Sequence, residues 1–163
     1  MSSLSSNGST SRFALRSEVD VTGMVELEFP ARPEYLALAR LVVAATASIE
    51  PRFRDERIDD LRVAVSEATT NAIEAHAHLD GVERIHIRCN LADDRIEVEV
   101  QDHGPGLDLD QIPAMPDLTE VEGLARQSGF GLPLMQILTD ETEIRSSPDG
   151  TAVKLVVLQR RSS

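Results

Sequence analysis

The sequence predicts an α+β fold in two layers, a two-layer sandwich of helices on a largely antiparallel sheet. Two observations carry that expectation. Two pairs of segments alternate apolar and polar residues on either side of a short turn, as half-buried hairpins do. Three other segments repeat apolar residues every three or four positions, so each helix has one stripe for a core. Sheet face and helix stripes must cover one another, and two packed layers do this.

At 163 residues, 41% of them hydrophobic, the chain can bury one proper core. The folded domain is placed at residues 21–160. Residues 1–20 form a Ser-rich tail that is expected to be disordered, because it holds little to bury against the entropy of ordering. A net charge of −12 argues against a nucleic-acid partner, which needs clustered Lys and Arg. With no Trp, one Tyr and four Phe, stacking on bases is not an available strategy either. The single cysteine, Cys89, excludes an intramolecular disulfide and suits a reducing cytosol. No apolar run reaches membrane-span length and the N-terminus lacks a signal-peptide pattern, so a cytoplasmic protein without membrane attachment is expected.

The elements follow in chain order. Val25, Leu27 and Phe29 alternate with Glu26 and Glu28, a half-buried strand. Pro30 and Pro33 end it, and an Ala- and Leu-rich helix runs from Glu34 to Glu50, stopped by Pro51. The Arg52–Arg57 run is a solvated connection. Asp59–Leu79 is the central helix, with Leu61, Val65, Ala68, Ala72 and Leu79 as its apolar stripe and Gly81 as its stop. Ile85, Ile87, Cys89 and Leu91, then Ile96, Val98 and Val100, make an antiparallel hairpin about Ala92–Asp94. Cys89 faces inward as a small core residue, and His86 faces out. Leu107–Gln127 has no clean period and carries two prolines and five acidic residues, which is an irregular loop of the kind that serves as a lid. A helix from about Leu132 to Asp140 and a second hairpin, Thr142–Ser146 with Thr151–Leu158 about Pro148-Asp149-Gly150, complete the domain.

The central helix has a second face. Glu67, Asn71, Glu74 and His78 repeat at helical spacing beside the apolar stripe. A carboxylate there can take a proton from a hydroxyl, and an amide oxygen one turn on can ligate Mg²⁺, which needs few protein ligands. Such a pair alone is most often an edge-facing polar strip. Asp102-x-Gly104-x-Gly106 ends a strand, where an aspartate can accept from an exocyclic amine and glycines let backbone approach a flat ring. Gly129-x-Gly131 opens a helix, offering amide donors to phosphate. Each glycine pair alone is an ordinary turn. His76 projects toward the apolar side, as a packing histidine.

The joint order is more specific: a helix with Glu67-x-x-x-Asn71, a hairpin, DxGxG, a long loop, GxG entering a helix, and Gly150-Thr151 opening a last strand. This resembles the GHKL (histidine-kinase-like) ATPase superfamily. Within it, AVSEATTNAIEA and SGFGLPLMQILTD resemble the anti-sigma-factor serine-protein kinases of the RsbW/SpoIIAB-like group, over roughly Val25–Leu158. The resemblance implies the Bergerat ATP-binding fold, a mixed, mostly antiparallel sheet with helices on one face. It implies ATP and Mg²⁺ as cofactors, with Glu67 as general base and Asn71 as metal ligand. Asp102 would meet the adenine amine with help from Thr151, and Gly104 and Gly106 would shape that pocket. Ser128, Gly129, Gly131 and Leu132 would border the phosphates. Where relatives often carry Arg immediately before Ser-Gly, this chain has Gln127, so Arg126 is assigned to the γ-phosphate or protein substrate.

The resemblance further implies a homodimer joined through its first strand and helix. It would sequester a sigma factor and phosphorylate a serine of a STAS-type anti-sigma factor antagonist. The alternative is a non-catalytic ATP-binding switch that grips a protein partner. A detached histidine-kinase ATPase domain fits less well, since the chain has no preceding phosphoacceptor hairpin. An α/β interaction domain with coincidental glycines is the remaining option.

Overall fold

A computed structural model describes residues 21–77, 79, 83–108, 110 and 131–159. The proposed tail, Arg126, Ser128, Gly129, His78, Gly81 and nearly all of the long loop lie outside the described residues. Five strands, β1 (Val21–Pro30), β2 (Arg84–Ala92), β3 (Arg95–Gln101), β4 (Glu141–Ser147) and β5 (Gly150–Leu158), form one sheet in the order β1-β2-β3-β5-β4. Every pairing among them is antiparallel.

Register explains the two faces. Leu27, Ile87, Val100, Val153 and Ile144 stand in one row across all five strands, and Val25, Cys89, Val98 and Leu155 stand in the next. These rows face the helices. The opposite face carries Glu26, Arg88, Glu99, Lys154 and Glu143 side by side, with ion pairs such as Arg88–Glu26 at 2.8 Å and Arg145–Glu99 at 2.7 Å. Period-two alternation therefore holds across the sheet and along its strands, except in β5, where Leu155, Val156 and Val157 are buried in succession. Cys89 is in the buried row as expected, and burial pushes its thiol up to about 12, which leaves it inert as a nucleophile.

Among the described residues three helices cover the inner face: α1 (Leu36–Ala47), α2 (Asp55–Ala75) and α3 (Gly131–Leu138). The central helix α2 packs on α1, α3 and strands β2, β3 and β5. Leu61, Val65, Ala68 and Ala72 are buried as the stripe requires, joined by Ile58 and Ala64. Its bounds differ from the expected 59–79. The charged run enters the helix, because Asp55 and Glu56 sit favourably in its first turn, at the positive end of the backbone dipole. The helix stops at Ala75, and Leu79 is exposed rather than part of the stripe. The first helix is likewise shorter than 34–50: Pro33–Tyr35 form a 3-10 turn and Ser48 closes α1. The strand at Val25–Phe29 extends back to Val21, continuing the β2 ladder through a register shift after Val21.

Candidate functional site

The DxGxG turn and the start of α3 both meet the C-terminal half of α2. Glu67 and Asn71 are half-buried on its edge, and the first residue of α3 lies directly over them. A side-chain carbon at Gly131 would stand 3.0 Å from Glu67 Oε2 and 3.2 Å from the Asn71 amide nitrogen. Any side chain at Gly131 would press on the ends of this acid–amide pair, so glycine gives the α3 N-terminus its closest approach to them. Burial, reinforced by the nearby Glu74 charge, raises the Glu67 pKa, so the carboxylate is a better proton acceptor than an exposed one. Among the described residues no hydrogen bond engages either Glu67 or Asn71, and both polar ends stay available.

One turn further along α2, the DxGxG turn meets the helix. A side-chain carbon at Gly104 would fall 2.8 Å from Ala75 Cβ and 3.1 Å from its carbonyl oxygen. Asp102, buried at the end of β3, accepts from the amides of Gly104 (2.9 Å) and Thr151 (3.1 Å) through the same oxygen, Oδ1. Its own N–H donates to the Thr151 carbonyl at 2.9 Å. The carboxylate plane is thus fixed, and Oδ2 is the oxygen a ligand amine would meet. Gly106 has φ +89 and passes over the Ser147 carbonyl, where any side chain would collide.

Sequence reasoning missed three participants. Gly150 (φ +146) packs so closely on the Asp102 carbonyl that no side chain fits. Ser146 shares a 3.0 Å hydroxyl contact with Thr151 and accepts from the Leu107 N–H at 2.7 Å, which fastens the start of the long loop to β4. The β4–β5 register that sets Ser146 opposite Thr151 was available from the Pro148-Asp149-Gly150 turn. His76, expected only to pack, accepts from the His103 amide at 3.1 Å. Leu132 is buried next to Gly131 in α3.

Among the described residues no cluster of three or more His, Cys, Asp or Glu could hold a metal. A cation here would have Asn71 Oδ1 as its side-chain ligand beside the cradle that Gly131 leaves open, a donor set suited to Mg²⁺ with its waters retained.

Residues 29–157 match the family model described as Histidine kinase-like ATPase domain. The chain is 40% identical over 128 residues to "Serine-protein kinase RsbW" of Oceanobacillus iheyensis, covering 75% of this chain and 78% of that protein. To "Anti-sigma F factor" of Caldanaerobacter subterraneus it is 37% identical over 139 residues, 84% of this chain and 94% of that one. The crystal structure of the RsbU and RsbW domains of Rv1364c from Mycobacterium tuberculosis superposes with a TM-score of 0.63 at 20% identity, over 86% of this chain and 34% of that chain. A second fold likeness, TM-score 0.57 at 13% identity, is to the SiaB–SiaC complex from Pseudomonas aeruginosa, over 94% of this chain and 100% of that one.

Proposed function

We propose a function from one premise: the chain belongs to the histidine kinase-like ATPase domain family, among its RsbW-like serine-protein kinases. It is an ATP-dependent serine-protein kinase that is also an anti-sigma factor, holding a sigma factor and phosphorylating a STAS-type antagonist. The observation that carries this reading is that one helix, α2, meets both the first residue of α3 and the DxGxG turn: Gly131 over Glu67 and Asn71, and Gly104 over Ala75. A nucleoside triphosphate laid along that helix has its base by Asp102 and its last phosphate by Glu67.

Asp102 Oδ2 accepts from the adenine amine, with the Thr151 hydroxyl beside it. The α3 N-terminus gives amide donors and a positive dipole end to phosphate oxygens. Asn71 would hold Mg²⁺, which when bound would neutralise charge on the phosphates. Glu67 takes the proton of the attacking serine hydroxyl as the new oxygen–phosphorus bond forms and the bond to ADP breaks. Arg126, Ser128 and Gly129, outside the described residues, would by the family resemblance serve the phosphate end. A protein substrate is favoured by the groove between α1 and α2, where Arg40, Arg62 and Val63 lead to Glu67.

A homodimer is proposed through β1 and α1, since β1 is a sheet edge and Met24, Leu38 and Leu41 are exposed on these two elements. The site of action is the cytoplasm; no helix among the described residues is long and apolar enough to cross a membrane. The test is transfer of radiolabelled γ-phosphate to a STAS-domain antagonist. An undiminished rate for Glu67→Ala removes Glu67 from its role, and failure to bind Mg·ATP removes the function altogether.

A further inference from the structure

Three of the chain's four histidines meet beside the Asp102 turn. We propose that His76 is a positioning residue for the nucleotide base: it holds the main chain of His103 and so sets where Asp102 and Gly104 stand toward a purine. The inference rests on the adenine-binding role given to Asp102 above.

His76 follows the last residue of α2 and is only 4% exposed. Its Nε2 accepts from the His103 N–H, so Nε2 carries no proton and a neutral ring has its hydrogen on Nδ1. Nδ1 is buried without a partner among the described residues. A histidine that tolerates one unsatisfied nitrogen costs stability where an apolar residue of similar size does not. Packing alone therefore does not explain it; the bond made by Nε2 does.

His103 is the residue between the two that shape the proposed base pocket. Its ring turns the other way, edge-on to His86 at 5.8 Å on the open face of the sheet. The turn is thus held at three successive residues: Asp102 by Thr151, His103 by His76 and His86, and Gly104 by Asp102. Of these anchors only His76 comes from the segment that carries Glu67 and Asn71. It ties the base end to the phosphate end through about 13 Å of one rigid helix.

Glutamine, asparagine and leucine separate this role from packing. Gln ends in an acceptor at the reach of Nε2, Asn stops short of it, and Leu has none. We would measure Mg·ATP and Mg·GTP binding by calorimetry on the full chain, with steady-state phosphate transfer. His76→Leu and His76→Asn should weaken ATP binding about tenfold and narrow the preference for ATP over GTP, while His76→Gln stays within about threefold of the parent. The rate at saturating ATP should be unchanged in all three. Parental ATP affinity in His76→Leu, or equal losses in Gln and Asn, overturns the proposal; should the Leu variant not fold, the Gln–Asn pair decides in the same way. Parental affinity in Asp102→Asn overturns the adenine reading and this inference with it. A weak Asp102→Asn beside an unaffected His76→Leu overturns the inference alone.

Discussion

The two ends of the α2 site are built on opposite principles. At the proposed base end, hydrogen bonds of 2.9–3.1 Å join Asp102 to Gly104 and Thr151, Thr151 to Ser146, and His103 to His76, and Asp102, Thr151 and His76 are buried. At the proposed phosphate end, Glu67 and Asn71 are half-buried, their side chains free of hydrogen bonds among the described residues, and covered by a glycine. Recognition of a flat base is served by polar groups already fixed in place, which lose little entropy on binding. Transfer of a phosphoryl group needs an acid oxygen whose basicity is raised and whose lone pairs are not already used. Interlocking makes the first end stable and leaves the second end reactive.

The sharpest way to break that contrast is Glu67→Ala. Phosphate transfer should fall by about 10²–10⁴-fold while Mg·ATP affinity stays within a few-fold, read by transfer kinetics beside calorimetry. A large loss of affinity would mean that the phosphate end also does the recognising.

Next in size is Asp102→Ala, which leaves two buried amides, those of Gly104 and Thr151, without an acceptor. It should cost about 1–3 kcal/mol of folding stability per orphaned donor in denaturant titration and abolish measurable ATP binding. Gly104→Ala should act in the same direction, because its new carbon meets the fixed Ala75 backbone. Gly131→Ala meets only side-chain ends, so it should slow transfer more than it lowers stability.

A pH series sharpens the contrast further. Because burial raises the Glu67 pKa, the base should become protonated, and transfer should fail, at a pH above the ordinary glutamate value of about 4.3. The sign for stability is opposite to that of a paired carboxylate. The folded state binds the proton more tightly than the unfolded state, so this contribution is present in acid and lost as pH rises through the folded pKa. Glu67→Gln should therefore be slightly more stable than the parent at neutral pH, and the gap should close in acid, as followed by thermal melting.

The smallest effect is expected away from both ends. Arg88→Gln breaks an exposed pair with Glu26 on the open sheet face and should change stability by no more than about 1 kcal/mol, with transfer and binding unchanged.

Much of this was legible without coordinates. Alternation of Ile85, Ile87, Cys89 and Leu91, and the stripe Leu61–Val65–Ala68–Ala72, prescribe strand and helix because side-chain direction repeats with period 2 or 3.6 whatever the rest of the chain does. That Glu67 and Asn71 share a helix edge was also legible from their spacing, whereas the roles proposed for them came from the family resemblance carried by the joint order of motifs. Element ends were less legible. Asp55–Arg57 looked like loop because charge patterning does not distinguish a solvated connection from a solvated first turn. What only the tertiary structure decided is which groups face one another across gaps in sequence: Gly131 over Glu67, Gly150 against Asp102, His76 under His103. Periodicity is local and says which side of an element is buried. Contacts between residues 27 to 64 positions apart depend on how the sheet orders its strands and on where each helix stops, and those are settled by packing of the whole core.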